Sequence, residues 1–393
     1  MSINLQKKGF VFWPVGTGDS STVVIKPDET VLQIDLHHLT KSDNDDDPHC
    51  AIVDELVDCL PKDDGKPYLA VFALTHPDKD HIQGFSELLD KVTIGEIWHT
   101  PRVFREYKKD LCDDAVAFKD EVTRRRDINI KKNGDVAVGD MVRVIGHDVI
   151  FELGDYTDFP EYWRTYPGNT ITEINNESVE DDFTAFVHAP FKDDSAAERN
   201  DTSLALQIVI KEGDGAGKAL FFGDRAYPTI KQIIDKTKEK DRTEYLEWNV
   251  MLSSHHCSKK VMYWKGEDDD AEKRKRDILD DFEDYRLDGA YIIASSESDF
   301  SDEEGKNPPH LKARKRYEEI IDSDHFKCTH EHPNSDNPTP VIFIFEVDSS
   351  GLSYQESEKA KKSQKSGLAL GLATSEARGE DEPPSEKAGF GIL

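Results

Sequence analysis

The sequence predicts an α/β protein in which two β-sheets pack together with helices on the outside. Strand-type and helix-type segments alternate along the chain, in two successive halves. One segment, Leu69 to Leu74 (LAVFAL), is a short continuous apolar run of the kind buried on both faces of a sheet. No stretch of 18 or more apolar residues interrupts this pattern, so a transmembrane span is excluded.

The elements follow in order. Phe10 to Val15 is apolar, and Gly16-Thr17-Gly18-Asp19 is a turn signal. Ser21 to Lys26 alternates and is β-branched, Pro27-Asp28-Glu29 turns again, and Val31 to Ile34 makes a third strand. Residues 39–50 read as a polar insertion. Ala51 to Leu60 has helical periodicity and stops at Pro61. Ile82 to Leu89 reads as a helix, Ile94 to Trp98 as a strand, and residues 102–128 as a charged helix. Val136 to Ile150 predicts two strands around Gly139-Asp140, and residues 151–181 an irregular surface excursion. Phe183 to Ala189, Leu204 to Ile210, Ala219 to Phe222, Asn249 to Leu252, Ala290 to Ala294 and Val341 to Val347 are strands. Helices are predicted at Pro228 to Lys236, near residues 270–286, and at Leu311 to Ile321. A folded domain is thus expected over residues 1–348. From residue 349 the composition turns to Ser, Lys, Glu, Gly and Ala, which predicts a disordered tail over 349–393.

Composition narrows the class. The chain has 393 residues, with 50 Lys+Arg against 80 Asp+Glu and a formal net charge of −30. A passive nucleic-acid binder normally shows a basic face, so that class is disfavoured. The five cysteines (Cys50, Cys59, Cys112, Cys257, Cys328) include no CxxC pair, which argues against a disulfide framework or a Cys-rich zinc site. The start, MSINLQKKGF, lacks an apolar h-region, so no secretory signal is expected. The expected location is the cytoplasm, without membrane association.

His76-Pro77-Asp78-Lys79-Asp80-His81 is the strongest chemical signal. It lies between a buried-type strand and a helix, where a rigid sheet presents converging side chains. Neutral imidazole nitrogen and charged carboxylate oxygen together suit a divalent metal. Two further strand ends carry ligand types: Asp224 after Leu220 to Gly223, and His255-His256 after Val250 to Ser254. Adjacent histidines on a strand point to opposite sides, so both face one site only from a loop or helix start.

These motifs resemble, in order over residues 10–345, the metallo-β-lactamase-fold hydrolases, specifically the branch typified by the ComEC hydrolase domain. Val15-Gly16-Thr17-Gly18-Asp19-Ser20 is similar to that branch's VGQGDS, and Leu32-Gln33-Ile34-Asp35 to its LID strand end. Thr75 to His81 with Gly84 is similar to HPDxDHxGG. Asn200 to Leu204 is similar to N-x-x-S-L, Phe222-Gly223-Asp224 to TGD, His255 to Ser258 to HHGS, and Asn307 to His310 to a late N…HP segment. The resemblance implies an αββα sandwich with two divalent ions, Mn²⁺ or Zn²⁺, at one edge of the sheets. His76 and Asp78 would hold one ion. Asp80 and His81, with His255, would hold the other, and Asp224 would bridge. Asp78 replaces a histidine of the wider superfamily, which makes the site richer in oxygen and favours Mn²⁺. Asp19, Asp35, His188, Asn200 and His256 are further neighbours of the site, and His310 is a candidate contact to a substrate phosphate. His37 and His38 are read as surface residues, and Cys257 as a packing residue.

The expected function is a metal-dependent phosphodiesterase, a nuclease cleaving DNA through a hydroxide activated by the two ions, with Asp80 orienting the nucleophile or carrying its proton. Such a mechanism needs no basic side chain at the central step. ComEC-type domains are joined to a membrane channel; a stand-alone form suggests another setting, such as an effector of a bacterial defence system. One alternative is hydrolysis of a small ester, lactone or cyclic nucleotide. Another is a partner-binding protein with a structural metal site, docking through its acidic surface or C-terminal tail.

Overall fold

The computed structural model describes residues 5–44, 46–105, 111–152, 154–192, 200–266, 269–331 and 340–355. The chain divides into two units after Lys361, so every described residue belongs to the first.

Turn chemistry builds the start of the first sheet. The Gly16–Asp19 loop returns Gly9–Phe12 antiparallel onto Ser21–Lys26, with Phe12 opposite Ser21. A second turn, with Asp28 left-handed at φ +59°, leads into Thr30–Ile34. Thr30–Ile34, Lys66–Ala73, Thr93–His99 and Met141–Ile145 then run parallel to one another. Parallel neighbours require crossovers, and the helices Ile52–Cys59, Phe85–Lys91 and Asp113–Lys132 lie along these. Phe343–Asp348 pairs with the other side of Gly9–Phe12.

The second sheet has the spatial order Phe326–Cys328, Arg286–Ala294, Trp248–Leu252, Gly215–Phe221, Ala205–Glu212, Phe183–Ala189, Thr170–Ile171. Its first four strands are parallel. Helices Tyr227–Glu239, Arg276–Tyr285 and Leu311–Tyr317 connect them.

Strand alternation sorts the apolar side chains into three layers. Val71 and Ala73 point inward, meeting Phe12, Ile34, Leu206, Phe221, Val250 and Phe345 between the sheets. Phe72 and Leu74 point outward, onto Leu56, Phe85 and Phe118 of the first helical layer. Leu220 and Met251 point outward from the second sheet, onto Ile230, Ile233, Ile278, Phe282 and Tyr317. Helix, sheet, sheet, helix is therefore the layer order, an αββα sandwich. Among the described residues, no helix is long and apolar enough to cross a membrane.

Four expectations change. Only Met141–Ile145 of the 136–150 segment is a strand. The preceding helix ends in two left-handed residues, Asn133 and Gly134, and the chain spends 135–140 turning back. The charged helix starts later than residue 102, at Asp113, after a short turn at Arg102–Arg105. Residues 151–181 are not a surface excursion: Tyr156, Phe159, Trp163, Ile171, Ile174 and Val179 are buried. Lastly, the domain does not stop at 348. Gly351–Gln355 adds an edge strand to Phe343–Asp348, and the Tyr354 ring packs 5.4 Å from Phe345. Residues 356–393 of the expected tail lie outside the described residues.

Phe345 ties that edge to the centre, its ring 5.9 Å from Phe12 and 5.2 Å from Tyr291. Phe345→Ala is expected to lower unfolding free energy by about 3–5 kcal/mol, read from denaturant melts.

Candidate metal centre

The sheets bring the chemistry-bearing residues together at the ends of their parallel strands. Thr30–Ile34 delivers Asp35 and Lys66–Ala73 delivers the His76–His81 loop. From the other sheet, Gly215–Phe221 delivers Asp224 and Trp248–Leu252 delivers His255 and His256. Leu204 N–H donates to Thr75 O at 3.0 Å, stitching the two sheets at this edge. Gly223, at φ +56°, sits in the seam: a Cβ there would lie 3.0 Å from Ser203 Cβ and 3.3 Å from Thr75 Cβ.

Adjacent histidines converge because the chain turns left-handed. His255, His256 and Cys257 have φ of +51°, +50° and +65°. Left-handed non-glycine residues cost roughly 1–2 kcal/mol each, and such strain collects at functional sites. The turn is anchored by His255 N–H to Gly223 O (3.2 Å) and by Ser254 Oγ, 2.7 Å from Gly223 O and 2.6 Å from Arg225 O. Cys257 packs among the apolar residues of the outer layer.

Asp224 stands at the middle of the cluster, almost fully buried. Its Oδ1 lies 3.2 Å from His81 Nε2 and 3.7 Å from His256 Nε2. Its Oδ2 lies 3.6 Å from His255 Nε2 and 3.8 Å from His76 Nε2, with Asp78 Oδ2 3.6 Å from that same His76 nitrogen. On the Oδ1 side, His256 Nε2 is 3.3 Å from both His81 Nε2 and Asp80 Oδ2, and its Nδ1 is 3.2 Å from Asp19 Oδ1. Asp19, His81, Asp224 and His256 form one compact ligand group. The partition of the two histidines thus differs from the expected one. His256, not His255, adjoins Asp80 and His81, because the left-handed turn rotates the second ring to that side.

Supporting hydrogen bonds set the tautomers. Asp35 accepts from His81 Nδ1 (2.7 Å), Thr75 N–H (2.7 Å) and Thr75 Oγ1 (2.6 Å). Thr75 Oγ1, having given its proton to Asp35, accepts from His76 Nδ1 at 3.1 Å. When neutral, both imidazoles therefore carry their lone pair on Nε2, on the side of Asp224. Thr75 was not singled out from sequence, since a threonine before a histidine has no distinguishing pattern.

The spacing tests whether ions fit. Two ligands bound at about 2.0–2.2 Å to one tetrahedral ion lie about 3.3–3.6 Å apart. The spacings above run from 3.2 to 3.8 Å, on both sides of Asp224. Asp19 Oδ1 and Asp224 Oδ1 are buried and make no aligned hydrogen bond, although nitrogens stand 3.2 Å away. Atoms ringed around a point in this way fit a cation better than they fit each other.

Electrostatics agree. Burial opposes the charge on Asp224, yet His255, His256 and His81 hold its pKa well below the ordinary carboxylate value. Burial likewise opposes imidazolium at His81 and His256, but Asp224, with Asp35 or Asp19, lifts both well above the ordinary value. Burial raises the Asp35 carboxyl, against the pull of His81. The buried carboxylates call for positive charge, from protons or from cations.

The remaining candidates fall elsewhere. His188 does not join the cluster. Its Nε2 bonds Tyr245 O at 3.0 Å and its ring packs 4.9 Å from Phe186, since its strand position turns it to the outer face of the second sheet. Asn200 opens a short 3₁₀ turn, with Ser203 N–H donating to its carbonyl. His310 caps the Leu311–Tyr317 helix, where its Nδ1 accepts from Lys259 N–H at 3.3 Å. Neither His37 nor His38 is a surface residue. Burial lowers His37 to about 3, and a Cβ on Gly18 would lie 2.1 Å from its ring. His38 is buried with Nε2 3.1 Å from Asp43 Oδ1.

No protein-family profile and no curated protein matches the sequence. Among solved structures the chain is similar to BJP-1, a subclass B3 metallo-β-lactamase of Bradyrhizobium japonicum, at 14% identity over 63% of this chain and 78% of that one, with TM-score 0.29. It is also similar to the metallo-β-lactamase SMB-1 bound to 2-mercaptoethanesulfonate, at 10% identity over 64% and 81% of the two chains, with TM-score 0.26. TM-scores this low carry no weight by themselves; the sandwich stands on its own strand order and three apolar layers.

Two outcomes follow from this geometry. In calorimetric titration with Mn²⁺ or Zn²⁺, Asp224→Asn is expected to weaken binding by more than about 100-fold and Asp35→Asn by about 10–100-fold. The second concerns His188, which burial lowers from 6.5 to about 4 against its bond to Tyr245 O. Below pH 6.5 the unfolded chain takes up a proton that the folded chain refuses until about pH 4. Stability from this group is therefore full above pH 6.5 and declines as pH falls, by up to about 3 kcal/mol. The stability advantage of wild type over His188→Asn in denaturant melts is expected to shrink between pH 7 and pH 4.5.

Proposed function

We propose that this protein is a metal-dependent hydrolase of phosphodiesters, a nuclease of the ComEC-type branch acting on DNA with two Mn²⁺ or Zn²⁺ ions. The observation that carries this reading is the Asp224 carboxylate, with imidazole nitrogens 3.2 to 3.8 Å from its two oxygens. His76, Asp78 and His255 are the ligands on the Oδ2 side. Asp80, His81 and His256 are those on the Oδ1 side, with Asp224 shared, and Asp19 faces the Nδ1 of His256 behind them. When bound, the ions supply Lewis acidity toward phosphoryl oxygen and lower the pKa of water.

The chain's own residues do the rest. Asp35 and Thr75 hold the imidazoles of His81 and His76 in the ligand tautomer. Asp80 has the most open carboxylate on the Oδ1 side, with its side chain 38% exposed against 3% for Asp224, so it meets substrate and solvent. That exposure supports its reading as the residue that orients the attacking water. His310, whose Nδ1 accepts from Lys259 N–H and whose ring also hydrogen-bonds the Lys306 backbone, orders its loop and is assigned no substrate contact. With a net charge of −30, the protein repels polyanions at long range. Two divalent ions held by these residues would offset this repulsion locally. The same charge favours short, single-stranded or terminal substrates over long duplex.

The test is cleavage of single- and double-stranded DNA by purified protein with Mn²⁺ or Zn²⁺, beside a panel of esters, lactones and cyclic nucleotides. Metal-dependent cleavage is expected, lost with EDTA and lowered about 10²–10⁴-fold in Asp80→Ala. Turnover of the small esters alone would replace the nuclease reading with that of a small-molecule hydrolase. Two bound equivalents with no hydrolysis of any substrate would make the centre structural and the protein a binding partner.

A further inference from the structure

A second cluster of titratable groups lies outside the centre: His49, Glu297 and His330, grouped closely enough to suggest a cation. The hydrogen positions argue otherwise. Gly16 N–H donates to His330 Nε2 at 2.8 Å. A backbone N–H cannot rotate away, so Nε2 holds the lone pair and Nδ1 the proton; the Pro14 backbone hydrogen-bonds this ring, and Glu297 Oε2 lies 3.6 Å from Nδ1 as a nearby charge. His49 has both nitrogens 2.6 Å from carboxylates, Nδ1 on Asp47 Oδ1 and Nε2 on Glu297 Oε1. The His49 imidazolium supplies the positive charge that these carboxylates would otherwise draw from a metal.

What the cluster grips is the loop that carries Asp19. Gly16 is held by His330, and Thr17 Oγ1 accepts from Glu297 N–H at 3.2 Å. Gly18 O accepts from Ser295 Oγ at 2.5 Å, and Asp19 N–H donates to Asp80 O at 3.0 Å. Four consecutive residues of a loop from the first sheet are pinned in turn, three of them by segments that follow strands Arg286–Ala294 and Phe326–Cys328 of the second. At its end, Asp19 Oδ1 meets His256 Nδ1 at 3.2 Å. We propose that His330, supported by Glu297 and His49, is a positioning residue of the metal centre, fixing the Gly16–Asp19 loop so that the Asp19 carboxylate reaches the Asp80 side. Burial lowers His330 to about 4, so its accepting nitrogen stays available at neutral pH.

This inference rests on the two-ion reading above, and metal binding separates the two. The full chain, stripped with EDTA, is titrated with Mn²⁺ alone by calorimetry, and metal content is measured after dialysis. Wild type is expected to bind two equivalents, not three. His330→Ala is expected to keep one equivalent at wild-type affinity and to weaken the other about tenfold. In His330→Gln the amide oxygen falls near the position of Nε2 and accepts from Gly16 N–H, so both affinities return. A merely structural role would lower both equivalents together, or only the melting temperature, and would not be rescued selectively. Unchanged binding in His330→Ala, equal loss of both equivalents, failure of the Gln rescue, or a third equivalent lost with His330 each overturns the positioning role while leaving the two-ion centre standing. No Mn²⁺ binding by wild type removes both.

Discussion

A carboxylate buried between two sheets needs opposite charge or hydrogen-bond donors on each oxygen, and Asp224 meets imidazoles on both. The rest of the edge is arranged around that demand. The His76–His81 loop comes from one sheet and the His255-His256 turn from the other, so the centre exists only while the sheets stay in register with each other. The inter-sheet core of Phe12, Ile34, Phe221, Val250 and Phe345 is what holds that register.

Rigidity at this edge comes from backbone more than from side chains. Parallel strands end at similar heights, which places Asp35 beside Thr75 and Asp224 near His255 without long reach. Hydrogen bonds then fix orientation: Asp35 accepts three, and two of them decide where His81 and Thr75 point. The left-handed turn at His255 to Cys257 is strained, and the carbonyls of Gly223 and Arg225 over-determine it. Such support keeps ligands in place before any ion arrives, which is the condition for a well-formed site.

The acidity of the chain and the chemistry of the centre are two scales of one charge distribution. Over the whole surface the excess of Asp and Glu discourages approach by polyanions. Within the centre the same residue types, packed beside imidazoles, create the demand for cations. On the proposed reading a substrate would respond to bound ions rather than to a basic groove, unlike nucleic-acid binders that rely on Lys and Arg stripes.

Residue order alone carries the alternation of strands and helices, the strand that leads into His76, and the ligand types at three strand ends. These are local properties: periodicity, β-branching, turn residues and motif spacing all act within a few residues. It also determined that adjacent His255 and His256 needed a turn to act together. Packing in three dimensions sets which histidine serves which side of Asp224, because that depends on a φ reversal no neighbouring glycine signals. It alone turned His188 outward, since strand facing is set by which sheet covers it. It alone buried Tyr156 and Trp163, extended the sheet to Gln355, and linked Glu297 to His49 and to His330 across 248 and 33 positions of chain. Contacts at such separations are fixed by the packing of the two halves, and local pattern carries no trace of them.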